Sequence, residues 1–143
     1  MIPDSFLANL SLEQTLQRFL GILDGKEAFC FVAVQEDKIV GFAIGSFPDY
    51  APDGFVGELN TVYVMPDFLN RGIGKKLFCS VIEQFKEYQV NSMFLTVFRH
   101  NFEARKVYEA LGGTLLKDYP ATINGQELEI TIYGWSDLSI LSF

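Results

Sequence analysis

The chain has few of the residues that build metal sites and catalytic triads. Its 143 residues include one histidine, His100, and two cysteines, Cys30 and Cys79, which lie in apolar runs without metal-ligand spacing. We therefore expect neither a metal site nor a triad, and we interpret the thiols as small buried hydrophobes of a reducing compartment. No stretch approaches the roughly 18 uninterrupted apolar residues of a membrane span. The first residues lack the basic and apolar regions of a secretion signal, so we expect a cytoplasmic protein with no membrane partner.

Basic residues are also scarce. Eleven Lys and Arg stand against 18 Asp and Glu, which gives a net charge of −7. Nucleic-acid binding needs a basic face, so this balance argues against a nucleic-acid partner. It is compatible with a cationic, amine-bearing substrate.

Hydrophobic residues, by contrast, make up 49% of the chain, and 14 residues are Phe. By length we expect one domain, residues 1–143, with a single core. A capping box at Ser11–Gln14 predicts a helix that Gly25 ends. Further helices are predicted after Gly74 and from Asn101 to Leu111, and a loop over 47–55. Predicted strands cover 28–34, 39–45, 57–65, 93–98, 115–123 and 126–135. This order predicts an α/β fold (α+β in some schemes): one mixed, mostly antiparallel sheet with a central parallel pair, flanked by helices.

The most informative stretch is Asn60–Leu77, which reads as a strand, a turn and the start of a helix. Gly72 and Gly74 lie at the helix N-terminus beside Arg71 and Lys75. Bare backbone, free N–H groups and the helix dipole together favour a bound anion. A P-loop would need Ser or Thr after its Lys, and a dinucleotide fingerprint would need a third glycine, so both fit less well. A glycine turn that only reverses the chain remains an alternative.

Two motifs carry a family resemblance. Met65–Leu77 resembles the acetyl-CoA pyrophosphate loop of the GNAT superfamily of N-acetyltransferases, whose pattern is Gln/Arg-x-x-Gly-x-Gly/Ala. Gly72 and Gly74 match, whereas Leu69 stands where Gln or Arg is usual. Downstream, Asn101-x-x-Ala104-x-x-x-Tyr108-Glu-x-Leu-Gly112 is similar to a second signature of the family. The resemblance covers roughly residues 28–135.

The resemblance implies a GNAT fold, acetyl-CoA as co-substrate, no metal, and transfer of acetyl to a primary amine of a small molecule or peptide. Transfer is expected to be direct, in a ternary complex, because no positioned cysteine indicates an acyl-enzyme. The cofactor-binding residues it implies comprise the backbone of one strand, the glycine turn and one side chain further on: Val62, Tyr63, Val64, Asn70, Arg71, Gly72, Ile73, Gly74, Lys75 and Asn101. Asn101 is equally a helix N-cap.

The resemblance also implies two catalytic residues. Tyr108 stands where the family places the acid that protonates the departing sulfur, although its neighbours also fit a core aromatic. Glu58 is the candidate base; it begins an apolar strand, where burial would raise its pKa, but a solvated strand end or deprotonation through ordered water are alternatives. Asp49, Tyr50 and Asp53 lie on the loop that borders the acceptor pocket in this family, and such residues also simply form turns.

Family members usually carry a strand and a helix before the segment that resembles Ile2–Leu23, so we expect this chain to lack them. The resulting sheet edge favours self-association, and a homodimer is possible. A second function class stays open, namely an acyl-CoA-binding regulatory or inactive GNAT-like module without turnover. The sequence does not specify the acceptor amine.

Overall fold

A computed structural model of the protein describes residues 12–22 and 27–142. In this part of the chain, one six-stranded sheet carries three helices. The helices are α1 (Leu12–Ile22), α2 (Ile73–Glu87) and α3 (Phe102–Ala110). The strands are β1 (Ala28–Gln35), β2 (Lys38–Ser46), β3 (Gly57–Val64), β4 (Met93–Phe98), β5 (Thr114–Ile123) and β6 (Gln126–Trp135), with 3-10 turns at Pro66–Phe68 and Leu138–Ile140.

The strand order is β1-β2-β3-β4-β6-β5. Only β3 and β4, at the centre, run parallel; every other neighbouring pair is antiparallel. The predicted sheet is therefore confirmed. Two-residue turns close the β1–β2 and β5–β6 hairpins. Both residues of each turn have positive φ, as at Asn124 (52°) and Gly125 (77°), which matches the right-handed twist of the strands.

The main core lies between the sheet and α2. The helix buries the predicted stripe of Ile73, Leu77, Phe78, Val81, Ile82 and Phe85. These side chains pack on inward-facing residues of the central strands, among them Leu59, Met93 and Leu95. Each fully buried side chain of this kind contributes about 1.5–3 kcal/mol. α3 packs on the same core through Ala104, Tyr108 and Leu111, so α2 and α3 share one face of the sheet.

On the opposite face, α1 packs against β2. Leu12 is buried with Phe42 and Ile44, and Leu16 lies against them. This confirms the helix, while its predicted Ser11 cap and Gly25 stop lie outside the described residues. So do residues 1–11, on which the expectation of a missing first strand and helix depends. None of the described helices has the length and apolar character that crossing a membrane requires.

The sheet opens at its centre. β3 and β4 pair only at Gly57↔Met93 and Glu58↔Phe94. Just beyond, the β2–β3 register shows Asn60 as an extra residue between Leu59 and Thr61, which is a β-bulge. The hydroxyl of the buried Ser46 donates a hydrogen bond of 2.7 Å to Oδ1 of Asn60 and holds the bulge. From Asn60 onward, therefore, one edge of β3 is not covered by β4.

Candidate active site

A cavity of about 360 Å³ lies between β3, the N-terminus of α2 and α3. Its lining is largely apolar and includes most of the predicted cofactor-binding residues. The lining residues are Val62, Val64, Phe68, Leu69, Asn70, Gly72, Ile73, Gly74, Lys75, Phe78, Ala104, Val107, Tyr108 and Leu111. The two motifs read from the sequence thus meet across one cavity.

Backbone N–H groups of the first turn of α2 lie at one end of this cavity. Asn70 and Gly72 have positive φ, 62° and 79°, and Gly72 is the N-cap, with no side chain to satisfy the first amides. The first intrahelical bond is the 3.1 Å bond from the Lys76 N–H to the Gly72 carbonyl. The N–H groups of Ile73 and Gly74 precede it and have no partner within the helix. Together with the helix dipole they form a site suited to an anion.

The charges around this end agree with that assignment. The first turn of α2 contains no acidic residue but two lysines, Lys75 and Lys76. Cations at a helix N-terminus oppose the dipole by about 0.3–1 kcal/mol each, so an anion bound there would relieve an unfavourable arrangement. Arg71 does not line the cavity; its guanidinium lies 4.9 Å from the ring centre of Phe68, which does.

The open edge of β3 forms another wall. Met65 donates its N–H to Val40 of β2 at 2.8 Å, so alternation along the strand turns the amides of Val62 and Val64 away from β2. The N–H of Tyr63 points toward β2, and its ring packs on Phe42 on the other face of the sheet. The structure therefore brings Val62 and Val64 to the cavity and leaves Tyr63 outside it.

Tyr108 lies on α3 with its side chain in the cavity wall, half-buried. Its ring centre is 6.4 Å from that of Tyr133 and 6.4 Å from that of Trp135, the latter in an edge-to-face arrangement. Its carbonyl accepts the Gly113 N–H at 2.9 Å. Tyr108 is thus both a core aromatic and a wall of the cavity, so the two interpretations of this residue are compatible.

Asn101 caps α3. Its Oδ1 accepts the Ala104 N–H at 3.3 Å, as the sequence predicts. Asn101 is not among the residues that line the cavity, and a contact with the cofactor remains a prediction.

A second cavity, of about 540 Å³, lies on the face of the sheet opposite α2 and α3, the same face on which α1 packs. It contains Tyr50 and Asp53 of the predicted acceptor loop; its other lining residues are Ala51, Pro52, Phe94, Thr96, Leu116, Lys117, Tyr119 and Ile132. Burial raises the pKa of Tyr119, and the charge of nearby Glu58 raises it further. Glu58 lines neither cavity, but its carboxylate is near enough to Tyr119, in the wall of the second cavity, to act on it electrostatically. The structure does not place Asp49 or His100 in the lining of either cavity.

Burial disfavours the thiolate form of both cysteines. Burial raises the pKa of the Cys30 thiol. Burial also raises the pKa of Cys79, which the charge of Lys75 partly offsets. Within the described residues no group of His, Cys, Asp and Glu side chains is arranged to hold a metal ion.

Comparison with known proteins identifies the family. The model of the acetyltransferase (GNAT) family matches residues 3–113, more than three quarters of the chain. The chain belongs to the GNAT acetyltransferase family. An uncharacterized N-acetyltransferase in the pepI 3' region of Lactobacillus delbrueckii subsp. lactis is 31% identical over 68 residues. That match covers 48% of this GNAT chain and only 38% of the relative.

Solved structures share the GNAT fold. The ribosomal-protein-S18-alanine N-acetyltransferase from Escherichia coli superposes with a TM-score of 0.66 at 21% identity, covering 82% of this chain and 74% of that one. YncA from Salmonella typhimurium, solved with its cofactor acetyl-CoA, gives a TM-score of 0.68 at 19% identity, covering 94% of this chain and 78% of that one. At these identities the likeness concerns the fold.

Sequence reasoning missed part of both cavities. Phe68, Phe78 and Val107 line the first cavity but are not among the predicted binding residues. The second cavity is lined by Thr96 of β4 and by Lys117 and Tyr119 of β5, whose side chains lie on one face of the sheet. Strand alternation predicts which residues of a strand share a face, but grouping residues of different strands also requires the strand order.

Proposed function

We propose that this chain is a single N-acetyltransferase domain, residues 1–143, which transfers acetyl from acetyl-CoA to a primary amine by direct attack in a ternary complex. The observation that carries the proposal is the open edge of β3. It faces the same cavity as the first-turn amides of α2, so an extended thioester and an anionic group can be held at once.

The cofactor would bind along these two features. Its pyrophosphate would accept hydrogen bonds from the N–H groups of Ile73 and Gly74, with Asn70, Arg71 and Lys75 beside it. Its pantetheine arm would pair with the backbone of Val62 and Val64 in the manner of an added strand. An N–H of this edge would polarise the thioester carbonyl, which stabilises the oxyanion that forms during attack. Asn101 would contact the arm with its amide group while its Oδ1 caps α3.

Tyr108 is the proposed acid. The amine nitrogen attacks the carbonyl carbon, the carbon–sulfur bond breaks, and the departing thiolate takes the proton of the Tyr108 hydroxyl. The proton lost by the amine goes to Glu58, directly or through water. A positioned acid or base of this kind contributes typically about 10²–10⁴ in rate. The raised thiol pKa values of Cys30 and Cys79 support direct transfer over an acyl-enzyme, since a protonated thiol is a weak nucleophile.

The acceptor amine would enter from the second cavity. Asp53 lines that cavity, and the charge of Glu58 acts on Tyr119 in its wall. These two carboxylates, set against Lys117 in the same lining, would attract an ammonium group before deprotonation. The relative from E. coli is named for an alanine of a ribosomal protein, which supports a peptide as one acceptor class. Small-molecule amines are the other.

A module that binds acyl-CoA without turnover is the second candidate, and Leu69 favours it. This residue lines the cavity where the family's pattern has a polar side chain, so one contact to the pyrophosphate is absent. The test is release of free thiol from acetyl-CoA in the presence of a panel of amines and short peptides. Turnover that Tyr108→Phe suppresses supports the enzyme. Tight acetyl-CoA binding without thiol release from any acceptor supports the module.

A further inference from the structure

A third cavity, of about 520 Å³, lies at the opposite end of α2 from the cofactor site. We call it the aromatic cavity; it is lined by Glu27, Ala28, Phe29, Phe47 and Tyr88. Gly72 and Tyr88 cap the two ends of α2, which separates the sites by about 24 Å along the helix axis. The aromatic cavity is thus independent of the proposed acetyl transfer.

Three rings form the walls of this cavity. The ring centre of Tyr88 lies 6.0 Å from that of Phe29 and 5.8 Å from that of Phe47, with interplanar angles of 54° and 69°. The Tyr88 ring is therefore inclined to both phenylalanine rings and is stacked on neither. Rings that line one cavity at such angles can offer a ring face to a bound cation, the contact by which proteins recognise quaternary ammonium groups.

The walls are fixed from behind. Phe85, which is fully buried, packs edge-to-face against both Phe29 and Phe47, with ring centres 5.1 Å and 5.6 Å away. The Phe47 N–H donates to the Glu27 carbonyl at 3.2 Å, which places Glu27 beside the rings. Tyr88 is the outer wall, with 53% of its surface exposed. Two rigid walls and one accessible wall make a preformed binding site.

The described residues that line the cavity carry only negative charge. Glu27 contributes a carboxylate, and Tyr88 caps the C-terminus of α2, where the helix dipole is negative. Among the described residues no cationic side chain lines the cavity. Lys86, the basic residue of the last helical turn, is directed to Glu83 and to the Leu141 carbonyl, at 3.2 Å each. The described lining residues therefore include a carboxylate and no cationic side chain, which favours a bound cation.

We propose that the aromatic cavity binds a quaternary or methylated ammonium group. Ring faces, a carboxylate and a helix C-terminus attract the charge, while the apolar walls accommodate methyl groups that prevent tight hydration. An apolar cleft would accept a neutral ligand of the same shape equally well, so discrimination between charged and neutral isosteres is the decisive property.

The test is an NMR titration of the full chain with choline and with its neutral isostere 3,3-dimethyl-1-butanol. We expect saturable shifts of the amide signals of Ala28, Phe47 and Tyr88 with choline, and at least about tenfold weaker binding of the isostere. A peptide carrying trimethyl-lysine, titrated in parallel, identifies the source of the ammonium group by its affinity relative to choline. Equal binding of the two isosteres, or no saturable shift with either cation, would overturn the proposal.

Variants locate the site. Tyr88→Ala should weaken choline binding at least about fivefold and Tyr88→Phe should retain it, because the ring face is kept. Glu27→Gln should weaken it about threefold. Phe102→Ala is the matched control, since Phe102 is an aromatic residue, 60% exposed, that lines neither the aromatic cavity nor the second cavity. Loss of choline binding in the control but not in Tyr88→Ala would place the cation elsewhere and contradict the assignment. Thermal unfolding of each variant checks that it is folded.

Discussion

Glu58 and Phe94 form the last pair of the parallel β3–β4 ladder, and the sheet opens directly beyond them. The backbone of Glu58 therefore lies where an added strand-like thioester would begin to run along β3. The same residue acts electrostatically on Tyr119 of the second cavity. Glu58 thus stands between the proposed cofactor edge and the proposed acceptor side, which is where a base for the amine is required.

Replacing Glu58 tests the base. Glu58→Gln keeps the shape of the side chain and removes the proton acceptor, so we expect kcat to fall about 10²-fold or more at neutral pH. Acetyl-CoA affinity should change little, because Glu58 does not line the cofactor cavity. Steady-state rates with an identified acceptor, paired with calorimetry, measure both. Unchanged kcat in the folded variant would assign deprotonation to water.

Tyr108→Phe tests the acid. The ring and its contacts with Tyr133 and Trp135 are retained and only the hydroxyl is lost, so stability and cofactor binding should be preserved. We expect kcat to fall about 10²-fold or more. Tyr88→Phe is the matched control, since it removes a hydroxyl at the far end of α2. Equal rates in both variants would reduce Tyr108 to a packing residue.

Asn101 has a structural role that two substitutions can separate from a binding role. Asn101→Ala removes the cap of α3 and should lower the free energy of unfolding by about 1 kcal/mol. Asn101→Asp restores a capping oxygen but not the amide donor. If Asn101 also contacts the pantetheine arm, the aspartate variant regains stability and not acetyl-CoA affinity. Recovery of both properties would leave it as a cap only. Chemical denaturation and calorimetry provide the two measurements.

The raised pKa of Tyr119 predicts a loss of stability at alkaline pH. Below the ordinary tyrosine pKa of about 10, the phenol is protonated in both the folded and the unfolded chain. Above it the unfolded chain loses its proton first, so stability falls as pH rises toward the raised folded pKa. Denaturant unfolding between pH 8 and 11 should show this fall, and Tyr119→Phe should reduce it. Parallel curves for the two proteins would refute the assignment.

Much of the fold could be predicted because its signals are local. Asn124–Gly125 specifies a hairpin turn through its positive φ values, and the spacing of Ile73, Leu77 and Val81 specifies the buried face of α2. Both signals act within a few residues of chain. The proposed anion site at Gly72 rests on an equally local signal, the two glycines at a helix N-terminus.

The opening of the sheet could not be predicted. It depends on the Asn60 bulge, which Ser46 holds from a neighbouring strand, and on where the pairing of β3 with β4 stops. These are contacts between distant segments, and composition leaves no trace of them. The second cavity and the aromatic cavity are likewise formed by residues from separate segments of the chain. Lys117 and Phe47 therefore belong to no sequence motif, although each lines a cavity.

Calorimetric titration with acetyl-CoA tests the central claim most directly, because every proposed catalytic step requires the cofactor cavity to be filled. The account predicts saturable binding by the wild type. Arg71→Glu, which reverses the charge beside the α2 N-terminus, should weaken binding at least about tenfold, since a charged hydrogen bond is worth about 1.5–3 kcal/mol. Lys38→Glu, the same charge change on the β1–β2 hairpin, should leave it within about twofold. A folded wild type that binds no acetyl-CoA would contradict the account.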